Sequence, residues 1–303
     1  MDSAAIHLER LGKHYGQVTA LTDVSLDVQR GEIFGFLGLN GAGKTTTIRI
    51  LLDLVRATTG HAFVFGANCR TDGVAVRAQI GYLPGELGFR GDMTGEATLD
   101  LLGRLHARSI DRAWRIQLLD RVQLARADLR RKLREYSTGM KRKLGIVQAF
   151  QSDAPLLILD EPTDGLDPLM QEAVYALLAD VKRRGRTVFM SSHVLPEVER
   201  VCDRIGLLSA GALRLVSPVD AVRRLAARRV RVLFGDGPAP QPIAWPEGCE
   251  VLDLRPHLWH LRLKGPLGPL IAAIAPLHPH DVEVEEPHLE EVLKQYYRDD
   301  PRT

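Results

Sequence analysis

An almost unbroken apolar run at 32–38 passes without a linker into Gly38-Leu39-Asn40-Gly41-Ala42-Gly43-Lys44-Thr45, after which Ile48, Leu51, Leu52 and Val55 recur at i, i+3, i+4 and i+7. The run has the pattern of a strand buried on both faces, and the later spacing predicts an amphipathic helix from 44 to about 55. A buried strand that feeds a helix through a glycine-rich turn constrains the fold to an α/β layer in which helices cover a largely parallel sheet. The turn also carries chemistry. Gly38, Gly41 and Gly43 let the backbone N–H groups around Asn40 and Ala42 point inward at a helix start, where the helix dipole favours negative charge, so the loop can cradle phosphates. Lys44 is then placed to neutralise the β- and γ-phosphates of a nucleoside triphosphate, Thr45 to offer its hydroxyl to Mg²⁺, and Thr46 to touch the α-phosphate side. A glycine turn that merely caps a helix is the competing reading.

Downstream acids weigh against that competitor. Leu156-Leu157-Ile158-Leu159 is a continuous apolar strand that ends on Asp160 and Glu161. Asp160 at the strand end can hold the water shell of a magnesium ion, and Glu161 can orient an attacking water. His193 follows a second apolar strand at 186–192, at the strand end where open α/β sheets place ligand contacts. A lone histidine there also has an ordinary structural reading. In Gly165-Leu166-Asp167-Pro168, Asp167 can cap the next helix or reach a neighbouring subunit.

Around these motifs, residues 24–28 alternate as a half-buried strand, 171–182 reads as a helix, and 207–215 as a hairpin. Residues 92–134 are helical and rich in arginine, with Leu99, Leu102, Leu105, Leu118, Leu119 and Val122 marking apolar faces. Arg104, Arg108, Arg112, Arg115, Arg130 and Arg131 read as a solvated helix face. Nucleic acid is not the expected partner, because stacking aromatics are not interleaved and 40 basic residues against 38 acidic ones leave a net charge of only +2. Beyond Ser217-Pro218 the composition changes, and the turn-rich stretch at 235–240 between apolar runs at 230–234 and 251–254 predicts a small α+β domain. No apolar run has the length of a membrane span and residues 1–10 lack a signal-peptide core, so a cytosolic chain is expected. Cys69, Cys202 and Cys249 are scattered and read as small buried residues.

Taken in order, the glycine loop, Tyr136-Ser137-Thr138-Gly139-Met140, Asp160-Glu161-Pro162, Gly165-Leu166-Asp167-Pro168 and His193 resemble the motifs of ATP-binding-cassette (ABC) ATPases. The resemblance covers about residues 4–216. Tyr-Ser-Thr-Gly-Met-Lys, in place of the commoner Leu-Ser-Gly-Gly-Gln, is similar to the branch that exports drugs, antibiotics and polysaccharides through a separate permease. A weaker likeness to the accessory domain of that branch lies in 285–292 and in Tyr296-Tyr297. The resemblance implies a P-loop α/β core with an antiparallel β subdomain and an α-helical subdomain at about 90–145, making an ATP-binding domain of 1–216, with an accessory domain at 217–303. It implies ATP and Mg²⁺ as cofactors, and a homodimer closing on ATP at the inner face of the membrane. Within that dimer Tyr15 would stack on adenine, Ser137 and Gly139 would contact the γ-phosphate held by the opposite copy, and Glu161 would be the base. His193 would sense the γ-phosphate and Asp167 would touch across the dimer. One position departs from the pattern: Gly85 stands where a glutamine normally reaches magnesium. Either Glu86 substitutes for it, water fills the place, or Pro84-Gly85 is simply a turn. A soluble cassette ATPase outside transport is the alternative function, although the paired cassettes, coiled coils or zinc-binding cysteines of such proteins are not seen. A small-molecule P-loop kinase leaves Ser137-Thr138-Gly139 unexplained.

Overall fold

Burial on both faces is what the central strands have in common. In the computed structural model, which describes residues 4–106, 109–225, 227–235 and 243–285, the chain parts into two units between Ser217 and Pro218. In the first unit, β1 (Ala4–Tyr15) and β2 (Val18–Gln29) form a long antiparallel pair. Val24, Leu26 and Val28 are buried while Ser25, Asp27 and Gln29 face solvent, as alternation predicts. β3 (Ile33–Leu37) is wholly buried and leads into α1 (Lys44–Leu51). This helix stops four residues short of the 55 expected from periodicity. Asp53 turns to φ +53°, and the N–H groups of Leu54 and Val55 both return to the Arg49 carbonyl, at 2.8 and 3.2 Å, which closes the helix while Val55 keeps its packing on the core.

β4 (Thr59–Val64) and β5 (Ala67–Asn68) complete an antiparallel sheet of order β2-β1-β4-β5. After α2 (Gly73–Arg77) and β6 (Ile80–Leu83) comes the arginine-rich segment, made of α3 (Gly95–Gly103), α4 (Arg112–Arg121), two 3-10 turns and α5 (Thr138–Phe150). Leu99, Leu118, Leu119 and Val122 are buried as expected, but Leu105 is 67% exposed and is not part of a core face. Arg115 pairs with Asp100 and Arg131 with Asp128, so part of the arginine run forms local ion pairs. Arg108 lies outside the described residues.

The remaining elements are β7 (Leu156–Asp160), α6 (Pro168–Arg183), β8 (Thr187–Ser192), α7 (Leu195–Val201), β9 (Arg204–Ser209) and β10 (Ala212–Pro218). They build a six-stranded sheet of order β10-β9-β3-β8-β7-β6, parallel from β9 through β6. The expected hairpin joins β9 to β10 through Ala210 and Gly211, both at positive φ, as a tight hairpin turn requires. Phe34, Phe36, Ile158 and Phe189 from the sheet pack with Ile48 and Leu51 of α1 in one core. At Gly81 of β6 an added Cβ would meet the Ala149 carbonyl of α5 at 2.1 Å, so the helix rests directly on the strand there. Gly81→Val is therefore expected to cost about 1–3 kcal/mol by overpacking, read as a lower melting temperature than the parent.

The second unit begins with α8 (Val219–Leu225) and contains β11 (Arg228–Leu233), β12 (Cys249–Arg255), β13 (Leu258–Leu263), α9 (Gly268–Ile274) and β14 (Asp281–Glu285). Its antiparallel sheet has the order β12-β13-β11-β14. Val230, Val232, Trp259, Leu261 and Leu263 of the sheet bury against Leu270 and Ile274 of α9, giving the α+β arrangement expected. The likenesses at 286–292 and Tyr296-Tyr297 lie outside the described residues, as does most of the 235–240 turn. Cys69 and Cys202 are buried and Cys249 is half-buried; burial pushes the Cys69 thiol up to about 12, which makes it inert at neutral pH. Among the described residues no helix is long and apolar enough to cross a membrane.

Candidate active site

Strand register brings the chemical residues together. In the parallel sheet Leu37 lies beside Ser192, Ser191 beside Asp160, and Leu159 beside Leu83, so β3, β8, β7 and β6 all end at one edge. The loops that follow them meet there in a cleft of about 750 Å³, lined by residues 39–46, Asp160, Glu161, Asp164, His193 and the Pro84-Gly85-Glu86 turn. This is the strand-end position in which open α/β sheets bind ligands.

The glycine loop wraps the start of α1. Gly41 and Gly43 have φ +80° and +110°. A Cβ at Gly43 would come within 2.7 Å of the Ala20 carbonyl, so both backbone sign and space require glycine there. Lys44 is only 6% exposed. Its ammonium donates to the Gly38 carbonyl at 2.6 Å and weakly to the Leu39 carbonyl at 3.4 Å, and it lies 3.2 Å from Glu161 Oε1. Thr45 Oγ1 donates to Asp160 Oδ2 at 3.1 Å. Asn40, Gly41, Ala42 and Thr46 line the same cleft.

Asp160 is buried at the end of β7, where Ser191 Oγ donates to its Oδ1 at 2.6 Å. The next residue breaks from the strand. Glu161 has φ +51°, a conformation that costs a non-glycine residue of order 1–3 kcal/mol and persists only where the surroundings enforce it. Its N–H donates to Ser191 Oγ at 3.0 Å, and its carbonyl accepts from the guanidinium of Arg142. The turn swings the carboxylate into the cleft between Lys44 on one oxygen and His193 Nδ1, 2.6 Å away, on the other. The Lys44 ammonium and the loop N–H groups can bind a phosphate chain, and the Glu161 carboxylate, held between that ammonium and an imidazole, can accept a proton from water.

Five residues singled out from sequence do not line this cleft: Tyr15, Gly38, Ser137, Gly139 and Asp167. Gly38 still contributes, because its carbonyl anchors Lys44. Tyr15 ends β1, 44% exposed, with Lys13 Nζ 4.7 Å from its ring centroid. Ser137 and Gly139 are exposed at the N-terminus of α5, where Ser137 Oγ accepts from Met140 N at 3.2 Å. Asp167 caps α6, accepting from Met170 N at 2.9 Å, so the capping reading is realised. Gly85 lies against the cleft, and a Cβ there would point at Asp160 Oδ2 from 3.5 Å; Glu86 is exposed on the cleft wall. Sequence reasoning missed Ser191, Asp164 and Arg142. Ser191 left a trace, as a hydroxyl at the end of an apolar strand two residues before His193; Arg142 left none.

Residues 21–164 match the family model for ABC transporters. The bacitracin transport ATP-binding protein BcrA of Enterococcus faecalis is 36% identical over 209 residues, which are 69% of this chain and 67% of that protein. The chain belongs to the ABC transporter ATP-binding family. Membership makes this ABC cassette an ATP-binding one. An uncharacterized ABC transporter ATP-binding protein of Synechocystis sp. is 38% identical to the cassette over 65% of this chain, and the match spans 56% of that relative's length. A solved ATP-binding subunit of an ABC transporter superposes on 73% of the chain and 92% of its own, with a TM-score of 0.67 at 31% identity.

Proposed function

We propose that the cassette is the motor of an exporter of drugs, antibiotics or other amphipathic molecules. Two copies close around two ATP molecules and hydrolysis reopens them, driving a separately encoded permease at the inner face of the membrane. The transport named for the bacitracin relative supports the exporter reading. One observation carries the composite site: the cleft gathers Lys44, Asp160, Glu161 and His193, while Ser137 and Gly139 stand exposed at the start of a 13-residue helix outside it. A helix N-terminus presents unpaired N–H groups and a favourable dipole to an anion. Facing a second copy, that tip would meet the γ-phosphate held in the other cleft, with Asp167 nearby as a cross-dimer contact.

Within each cleft the backbone of 40–46 and Lys44 hold the phosphates and His193 responds to the γ-phosphate, while Tyr15, at the end of β1 outside the cleft lining, would stack on the adenine. Glu161 accepts the proton of the attacking water. The donor set suits Mg²⁺: a hydroxyl and a carboxylate oxygen 3.1 Å apart on Thr45 and Asp160 are hard ligands, and this ion keeps waters and takes substrate phosphate oxygens for the rest. Glu86 adds an exposed carboxylate on the same wall. Bound there, the ion would neutralise charge on the phosphoryl oxygens. A second, apolar cleft of about 520 Å³, lined by Leu54, Val74, Leu87, Phe89, Leu102 and Leu105, suits the apolar face of a cytoplasmic helix of the permease.

Shared sites make turnover depend on assembly. The ATPase rate per mole of chain is expected to rise in proportion to concentration while the protein is mostly monomeric, then to level off. A rate per mole that stays constant across that range would remove the composite site.

A further inference from the structure

Arg142 is an arginine inside the nucleotide-proximal core that no motif explains. It lies on the first turns of α5, five residues after Ser137, and is only 8% exposed. Burying a guanidinium is costly unless its donors are engaged. One terminal nitrogen donates to the Pro84 and Gly85 carbonyls, both at 3.1 Å, and the other terminal nitrogen donates to the Glu161 carbonyl, while the buried Nε makes no hydrogen bond among the described residues. Asp160, Glu161 and Asp164 surround it with negative charge, which opposes the effect of burial on its protonation. One side chain of the helical segment therefore grips both the turn after β6 and the strained residue after β7.

At the centre of the turn it grips is Gly85, which has no side chain. A Cβ at Gly85 would point at Asp160 Oδ2 from 3.5 Å, an ordinary contact, so a longer side chain at this position would reach the carboxylate, and glycine supplies none. We infer that Arg142 is a positioning residue for hydrolysis: it ties α5 and the Gly85 turn to the Glu161 backbone and so holds the Glu161 carboxylate in its cleft-facing geometry. The tie is rigid because a planar guanidinium presents its donors in a fixed fork. Motion of α5, whose exposed tip is the proposed contact for the second copy, is thereby transmitted to the catalytic carboxylate by hydrogen bonds from one rigid group rather than through loose packing. Arg142 donates to no phosphate-loop residue, so its effect falls on the chemical step and not on nucleotide affinity.

This inference rests on Glu161 being the base, and the test separates the two. In the full-length chain, Arg142→Ala is expected to lower kcat about 10- to 100-fold, the range of a displaced general base, with KM for ATP and the Kd of a fluorescent ATP analogue changed less than about twofold. Arg142→Lys, which keeps the charge but not the fork, is expected to fall between the two. Residues that act through one group are not additive, so Arg142→Ala added to Glu161→Gln should leave the residual rate unchanged. Arg142→Gln serves the same comparison if the alanine variant does not fold. Wild-type kcat in Arg142→Ala or Arg142→Gln, a loss confined to ATP affinity, or a further drop in the Glu161→Gln background would overturn the positioning role. Unimpaired turnover in Glu161→Gln alone would instead remove the base on which it rests.

Discussion

Glu161→Gln is expected to lower ATP turnover about 100- to 10,000-fold, the contribution of a positioned general base, while leaving ATP affinity intact. The amide keeps the shape of the side chain and an oxygen toward Lys44, 3.2 Å away in the parent, so the phosphate loop loses no donor. It removes the basic oxygen that His193 Nδ1 contacts at 2.6 Å, and with it the acceptor for the proton of water. Turnover and binding should separate cleanly: a single-turnover assay shows the loss, and equilibrium titration with an ATP analogue does not. Parent-like turnover in this variant would place the base elsewhere.

Lys44→Ala should act on the other half of that split. Its ammonium is the buried cation at the mouth of the loop, anchored by the Gly38 carbonyl at 2.6 Å. A charge-assisted hydrogen bond contributes about 1.5–3 kcal/mol, and every 1.4 kcal/mol is about tenfold in affinity. ATP should therefore bind about 10- to 100-fold more weakly for each ammonium–phosphate hydrogen bond that the substitution removes. Lys44→Arg is not expected to restore binding, since a planar fork does not replace a compact point charge inside a tight loop. Titration of both variants beside the parent checks the expectation, and parent-like affinity in Lys44→Ala would deny the loop its lysine.

What the sequence made legible follows from physics that is local. β3, β7 and β8 are buried on both faces, and a strand of that kind is written as an unbroken apolar run whose end marks the chemical edge of the sheet. The loop, Asp160, Glu161 and His193 could be placed because each sits at such an end. The close of α1 was not legible, because the apolar spacing continues to Val55 after the backbone has already reversed at Asp53. Leu105 kept helical spacing yet faces solvent, since periodicity reports a stripe and not what covers it. Arg142 was invisible for a deeper reason: its partners at 84, 85 and 161 are brought to it only by the parallel pairing of β6 with β7. Asp167 shows the reverse case, where one local rule, the helix cap, was enough to find a real bond.

Sedimentation of the Glu161→Gln chain with MgATP addresses the shared site without intermediaries, because a hydrolysis-deficient pair should stay closed. The expected result is a dimer that forms with ATP, is absent without it, and reverts to monomer when Ser137→Arg is added. A monomer saturated with ATP, or a dimer indifferent to Ser137→Arg, would contradict it.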